Sequence, residues 1–159
     1  MLAALKDMYG EVKLRVRAAG ALGGEFRSDR GVKQGGPLSL LLFGLLLGRI
    51  ERVFNEDLDG YGRVSVGGSG VSMLLYAHDL AIMGEIAGTV QRALHLLSRC
   101  CSCLRMQVNV SKSVGMVLNP RFHRGPAVSW SYNAEQMEMV DSFKYLGPVI
   151  DARGGVGKA

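Results

Sequence analysis

Between Pro37 and Phe54 the chain reads PLSLLLFGLLLGRIERVF, and no charge interrupts it until Arg49. A dozen uncharged residues fall short of the ~18 or more that a membrane span requires, so the segment must find its cover in protein. Proline at its head suits a helix start, because the amide it lacks has no partner in the first turn. The expectation is a buried helix from Pro37 to about Phe54. With 159 residues, 48% hydrophobic and 21% charged, the chain can enclose one sizeable core, and a single globular domain is the default. The opening MLAALKDMYG has neither a basic start nor a long apolar centre, so no signal peptide is expected and the reading is a soluble intracellular protein, nuclear or cytoplasmic.

Other segments follow from local pattern. Leu2, Leu5 and Met8 stand at helical spacing before Gly10, which predicts a short helix. Val12, Leu14 and Val16 alternate with Lys13, Arg15 and Arg17, a half-exposed strand with a basic outer face; AGALGG reads as a turn and Glu25 to Ser28 as a short return strand. NEDLDGYG reads as a loop. Val64 to Val66 and Val71 to Leu75 flank GGSG, a hairpin turn, and a second hairpin pairs Val71 to Tyr76 with Leu80 to Met83 around a tip of Ala77, His78 and Asp79. Thr89 is expected to cap a helix to about Leu104, with Val90, Ala93, Leu94, Leu97, Cys101 and Leu104 on one face. Val114 to Leu118, Val128 to Tyr132 and Phe143 to Tyr145 are further strand candidates. The fold class expected is α+β, an antiparallel sheet with helices packed on one face.

Composition narrows the partners only mildly. A net charge of +5 from scattered Lys and Arg permits a polyanionic partner without demanding one. Cys100, Cys101 and Cys103 are expected to pack as small apolar residues in a reducing compartment. Glycine at 22 positions is about twice the usual ~7% and loosens helices and loops.

Four stretches carry more than pattern: RGVKQGGPLSLLLF (Arg30 to Phe43), LLYAHDLAIM (Leu74 to Met83), VNVSKSVGMV (Val108 to Val117) and FKYLG (Phe143 to Gly147). Taken locally, they are a loop ahead of a helix, a polar turn between strands, a lysine on a helix-to-strand loop and a core aromatic pair. In order and spacing, however, they resemble successive motifs of the reverse transcriptase domain of non-LTR retrotransposons. A group II intron maturase is a further relative, but FKYLG favours the retrotransposon branch. The resemblance implies part of a polymerase, the rear of the fingers and most of the palm, over residues 1–150, with a flexible glycine-rich tail over 151–159.

It also implies roles. Arg30, Gln34, Gly35, Gly36, Pro37 and Tyr76 would shape the pocket for template base and incoming nucleotide, with glycines admitting backbone to a nucleic acid strand. His78 and Asp79 fall on the family's two adjacent aspartates, so Asp79 is the expected metal ligand and His78 replaces the other. Lys112, which with Asn109 marks the third motif, would protonate the leaving pyrophosphate; Phe143, Tyr145, Leu146 and Gly147 would grip the primer. The implied cofactor is Mg²⁺ or Mn²⁺, and the implied partners are RNA template, DNA primer and deoxynucleotide, with no membrane.

Departures matter as much. Imidazole is a poor Mg²⁺ ligand, and exchanging a carboxylate for it removes a negative charge from a site meant for two dications. The family's other catalytic carboxylate belongs on a strand upstream of the glycine loop. Asp7 and Asp29 have the wrong contexts for it, and Asp57 and Asp59 follow the motif, so the expectation is a chain that starts downstream of that strand. Gly36 stands where the family usually has a larger residue, and Leu40 where it usually has proline. The expected function is that of a reverse-transcriptase-like fragment inactive by itself; the alternatives are a catalytically dead nucleic-acid-binding module and a retroelement relic without function.

Overall fold

The computed structural model describes residues 2–28, 31, 35–58, 62–119, 127–154 and 156–157. The chain divides into two compact units, Met1–Gly48 and Arg49–Ala159, where bulk composition suggests one core. Arg30, Gln34 and Asp59 lie outside the described residues.

In the first unit, α1 (Leu2–Gly10) leads into β1 (Val12–Ala18) and β2 (Ala21–Ser28), an antiparallel ribbon. Ala19 and Gly20 both have positive φ (48° and 82°), the two-residue turn whose twist matches that of the strands. The return strand is therefore longer than expected. Gly23 and Gly24, which read as turn residues, instead form a bulge opposite Val16 where the register shifts between Arg15 and Arg17. Leu14 and Val16 stay 43% and 60% exposed, so the ribbon's apolar face is open among the described residues.

The long helix α2 runs from Pro37–Asp57, three residues past the expected end and across the boundary between units. Ser39 N–H donates to the Gly36 carbonyl (3.0 Å) in its first turn, and the Ser39 hydroxyl meets Tyr9 Oη of α1 at 3.3 Å. The helix is not buried throughout. Leu40, Leu41 and Leu45 are 68%, 59% and 65% exposed, whereas Ile50 and Phe54 are 3% and 0%. Leu58, expected in a loop, is fully buried just past the helix.

The second unit holds the core: Ile50, Phe54, Leu58, Met73, Ala93, Leu94, Leu97, Cys101, Trp130 and Tyr132 are all buried. Its strands are short: β3 (Val64–Val66), β4 (Ser69–Val71), β5 (Met73–Tyr76) and β6 (Asp79–Ile82) precede α3 (Ala87–Leu104). After α3 come β7 (Val114–Gly115), β8 (Ser131–Tyr132), β9 (Glu135–Gln136), β10 (Glu138–Met139), β11 (Ser142–Lys144), β12 (Val149–Asp151) and β13 (Val156–Gly157). The class is α+β. In place of one sheet, the described strands form separate small antiparallel sheets plus one parallel pair, β7 with β10.

Helix α3 anchors this unit. Trp130 Nε1–H donates to the Ala87 carbonyl (3.0 Å), and Gln91 clamps the Ser131 backbone from both sides (2.9 and 3.0 Å). Thr89 is not the cap: Ile86 holds that position, without a side-chain hydrogen bond, and Thr89 is buried in the first turn. There it packs so tightly that a Cβ on Gly84 would sit 3.0 Å from its own. The helix closes on a left-handed Arg105 (φ 54°), with Met106 N–H reaching back to the Cys101 carbonyl at 2.8 Å. Beyond it, Ala152 is 3% exposed, and Asp151 of β12 and Val156 and Gly157 of β13 belong to a three-stranded sheet with β11.

Candidate functional site

The hairpin of β5 and β6 follows from alternation: register pairs Met73 with Ile82, Leu75 with Leu80, Leu74 with Ala81, and Tyr76 with Asp79. Cross-strand partners share a face, so Met73 (8% exposed), Leu75, Leu80 and Ile82 line one side. Leu74, Tyr76, Ala81 and Asp79 line the other, where Leu74 and Tyr76 are 48% and 63% exposed. The tip is shorter than expected. Only Ala77 and His78 form the turn, and Asp79 opens the second strand opposite Tyr76. Ala77 takes the left-handed conformation there (φ 51°).

The two tip side chains are exposed neighbours. His78 Nε2 lies 3.7 Å from Asp79 Oδ1, with 83% and 51% of the side chains open to solvent. At the hairpin's base, Met83 N–H donates to the Ser72 carbonyl (2.8 Å), while the buried Ser72 hydroxyl has no partner among the described residues.

Within the stretch from Val108 to Val117, Val110–Lys112 form a single 3₁₀ turn. Asn109 organises it: its side-chain oxygen accepts from Ser111 Oγ (2.8 Å), and its carbonyl accepts from Lys112 N–H (3.2 Å) and Ser113 Oγ (2.9 Å). That leaves the Lys112 side chain exposed immediately before β7.

Phe143 sits on β11, and Tyr145, Leu146 and Gly147 form the bend to β12, closed by Tyr145 N–H donating to the Pro148 carbonyl at 2.9 Å. Leu146 (φ 52°) and Gly147 (φ 114°) both have positive φ. The core aromatic pair is not found: Phe143 is 38% exposed and Tyr145 half-buried, because β11 shows solvent on both faces. Backbone pairing joins this stretch to the previous one. β7 pairs with β10, Val140 N–H donates to the Gly115 carbonyl (2.9 Å), and Asn119 N–H reaches the Ala152 carbonyl (2.6 Å).

The glycine stretch belongs to the first unit. Gly31 and Gly35 have positive φ (83° and 77°), which explains glycine at both. Gly36 precedes α2, and Pro37 is its first residue. Arg30 and Gln34 lie outside the described residues. No strand pairing among the described residues links the β5–β6 hairpin to the Lys112 and Phe143 stretches.

A family model for reverse transcriptase (RNA-dependent DNA polymerase) matches residues 3–150. The chain belongs to that family. Among curated proteins, the Retrovirus-related Pol polyprotein from type-1 retrotransposable element R2 of Nasonia vitripennis is 26% identical over 161 residues, 94% of this chain. The Retrovirus-related Pol polyprotein from type-2 retrotransposable element R2DM of Drosophila melanogaster is 29% identical over 139 residues, 83% of this chain. The chain spans 15% and 13% of the length of these two relatives. It is thus a reverse transcriptase domain related to those of R2 non-LTR retrotransposons, and no described helix is long and apolar enough to cross a membrane.

Reverse transcriptases use divalent metal ions. The residues at this hairpin fit a pair of such ions poorly. Asp79 offers one hard carboxylate and His78 a nitrogen suited to softer metals, whereas Mg²⁺ takes oxygen in near-octahedral array. Among the described residues, no three His, Cys, Asp or Glu side chains gather as a metal site would need.

Proposed function

We propose that this chain is a palm-like portion of an R2-type reverse transcriptase that engages template and primer strands without itself adding deoxynucleotides. One observation carries the reading: the solvent-exposed hairpin tip presents an imidazole 3.7 Å from a lone carboxylate, where the family resemblance calls for two carboxylates. Phosphoryl transfer by two metals needs charge that clamps both attacking and departing oxygens, and His78 takes away half of what this turn would contribute.

The remaining roles fit a binding surface. Tyr76, 63% exposed beside Asp79, offers a face on which a base or sugar can stack. Lys112 offers a mobile cation for a phosphate, held by a turn that its own backbone completes. Phe143, Tyr145, Leu146 and Gly147 present a partly exposed bend suited to a primer strand. Gly35, Gly36 and Pro37, with Arg30 and Gln34, would border the template base. In this reading residues 1–150 form the reverse transcriptase portion.

A primer-extension assay tests it: purified chain, an RNA template with annealed DNA primer, all four deoxynucleotides, and either Mg²⁺ or Mn²⁺. The expected result is retention of primer–template on a filter with no extended product in either metal. Robust extension overturns the reading.

A further inference from the structure

The β1–β2 ribbon has two faces of opposite character. Alternation and the observed register put Lys13, Arg15 and Arg17 of β1 on one side together with Arg27, which pairs with Lys13, and Glu25, which pairs with Arg15. Leu14 and Phe26 face each other on the opposite side. The bulge at Gly23 and Gly24 keeps Arg17 on the basic side at the turn end of the ribbon, where its cross-strand partner is the exposed Leu22.

The cations on that face are not equally engaged. Glu25 takes two of them, Lys13 Nζ at 3.2 Å and Arg15 Nη2 at 3.1 Å, while Arg27 pairs with Glu11 at 3.1 Å. Arg17 has no ion pair among the described residues. Every pairing is exposed, with side chains 39% to 68% open, so each is worth little against water and can be exchanged for a stronger anion. Four cations against two carboxylates leave the face with two net positive charges.

Spacing favours a polyphosphate over a single anion. Successive cations on β1 recur about 6.8 Å apart, two residues of antiparallel strand. Phosphates on one strand of a duplex rise about 3.4 Å each along the helix axis and lie further apart than that along the winding strand itself, so a row of cations at this spacing can meet successive phosphates. A two-stranded ribbon is also narrow enough to enter a nucleic acid groove.

We propose that the basic face of the β1–β2 ribbon is a second nucleic-acid contact, independent of the β5–β6 hairpin, and that Glu25 restrains it by holding Lys13 and Arg15. Duplex binding exchanges the carboxylate for phosphates: the two cations leave Glu25, and the counterions of the backbone are released. The contact reads charge and shape rather than base sequence. This inference rests on the nucleic-acid-binding reading above.

Binding of a labelled 20-base-pair duplex, as RNA and as DNA, is measured across a salt series for the full chain and for Glu25→Gln, Arg17→Glu and Lys112→Glu. All three positions are solvent-facing, and circular dichroism checks that each variant folds. Glu25→Gln is expected to bind several-fold tighter at low salt, because the two cations no longer have to leave a carboxylate. Arg17→Glu is expected to bind roughly tenfold weaker with a shallower slope of log affinity against log salt. The RNA and DNA arms show which duplex the ribbon prefers. If Glu25→Gln and Arg17→Glu bind as the unaltered chain does while Lys112→Glu binds less, the ribbon inference fails and the reading of the domain stands. If the unaltered chain holds neither duplex nor primer–template, that reading fails, and the ribbon with it.

Discussion

One helix, α2, passes through two environments. Leu40, Leu41 and Leu45 in its first half are 59% to 68% exposed, while Ile50 and Phe54 in its second half are 3% and 0% exposed. Sequence character does not separate them, since the exposed half is the more apolar of the two. Local company does: the second half belongs to the unit that carries Met73, Leu94, Leu97 and Trp130 as buried partners, and in the first unit Leu47 is the one buried hydrophobic residue among those described. Apolar content states that a segment gains by cover; it does not state where the cover is.

The largest test of this contrast substitutes both halves alike. Phe54→Ala removes a fully buried ring and is expected to cost about 3–5 kcal/mol, through lost transfer energy and the cavity left behind. Leu45→Ala is expected to change stability by no more than about 0.5 kcal/mol, the usual range for exposed positions. Urea unfolding followed through Trp130, the single tryptophan and part of the second unit's core, reads both variants. Equal shifts in the two would mean that Leu45 is covered in solution, and the contrast would collapse.

A second test stays within the packed unit. A Cβ on Gly115 would lie 2.7 Å from Met139 Sδ and 2.7 Å from Trp130 Cε3, closer than side chains tolerate. Gly115→Ala is therefore expected to destabilise by about 1–3 kcal/mol through overpacking. The same change at Gly44 in the first half of α2 meets nothing within 4 Å and should stabilise slightly, by up to about 1 kcal/mol of helix propensity. A neutral Gly115→Ala would show that β7 and β10 lie further apart than their parallel pairing implies.

What could be read from sequence follows the same division. The β5–β6 hairpin was legible because alternation and a polar break coincide there, but its bounds moved: Val71 pairs with Val64 in the preceding hairpin, Met83 lies past β6, and Asp79 passes from tip to strand. The four stretches and the family they resemble were legible as well, because motif order needs no burial information. Less was readable where glycine has two uses: Gly23 and Gly24 read as a turn and are a bulge. The start of α3 moved from Thr89 because a buried threonine packing on Gly84 looks, in one dimension, like a cap. Exposure of Phe143 and of Leu40, Leu41 and Leu45 was illegible, since it depends on which neighbours are near rather than on the residues themselves.

The smallest effect expected is alkaline, and it arises in the packed unit. Burial is the main cause that pushes up the Cys101 thiol and the Tyr132 hydroxyl, and the two groups are hydrogen-bonded to one another. Cys100, half-covered on the same helix, is raised too, first by desolvation and then by Cys103. A raised acid holds its proton in the folded chain at a pH where the unfolded chain has released it. Its contribution to stability is complete below the ordinary values, 9.0 for the thiols and 10.0 for the phenol, and is lost as pH rises through the raised ones. The urea midpoint read at Trp130 should therefore be flat near neutral pH and fall above about pH 9. Cys101→Ala should make that fall shallower, leaving Tyr132 and Cys100 to account for the remainder. A midpoint that stays flat above pH 9 would place these groups in solvent in the folded chain, and the second unit would lose its claim to a dry core.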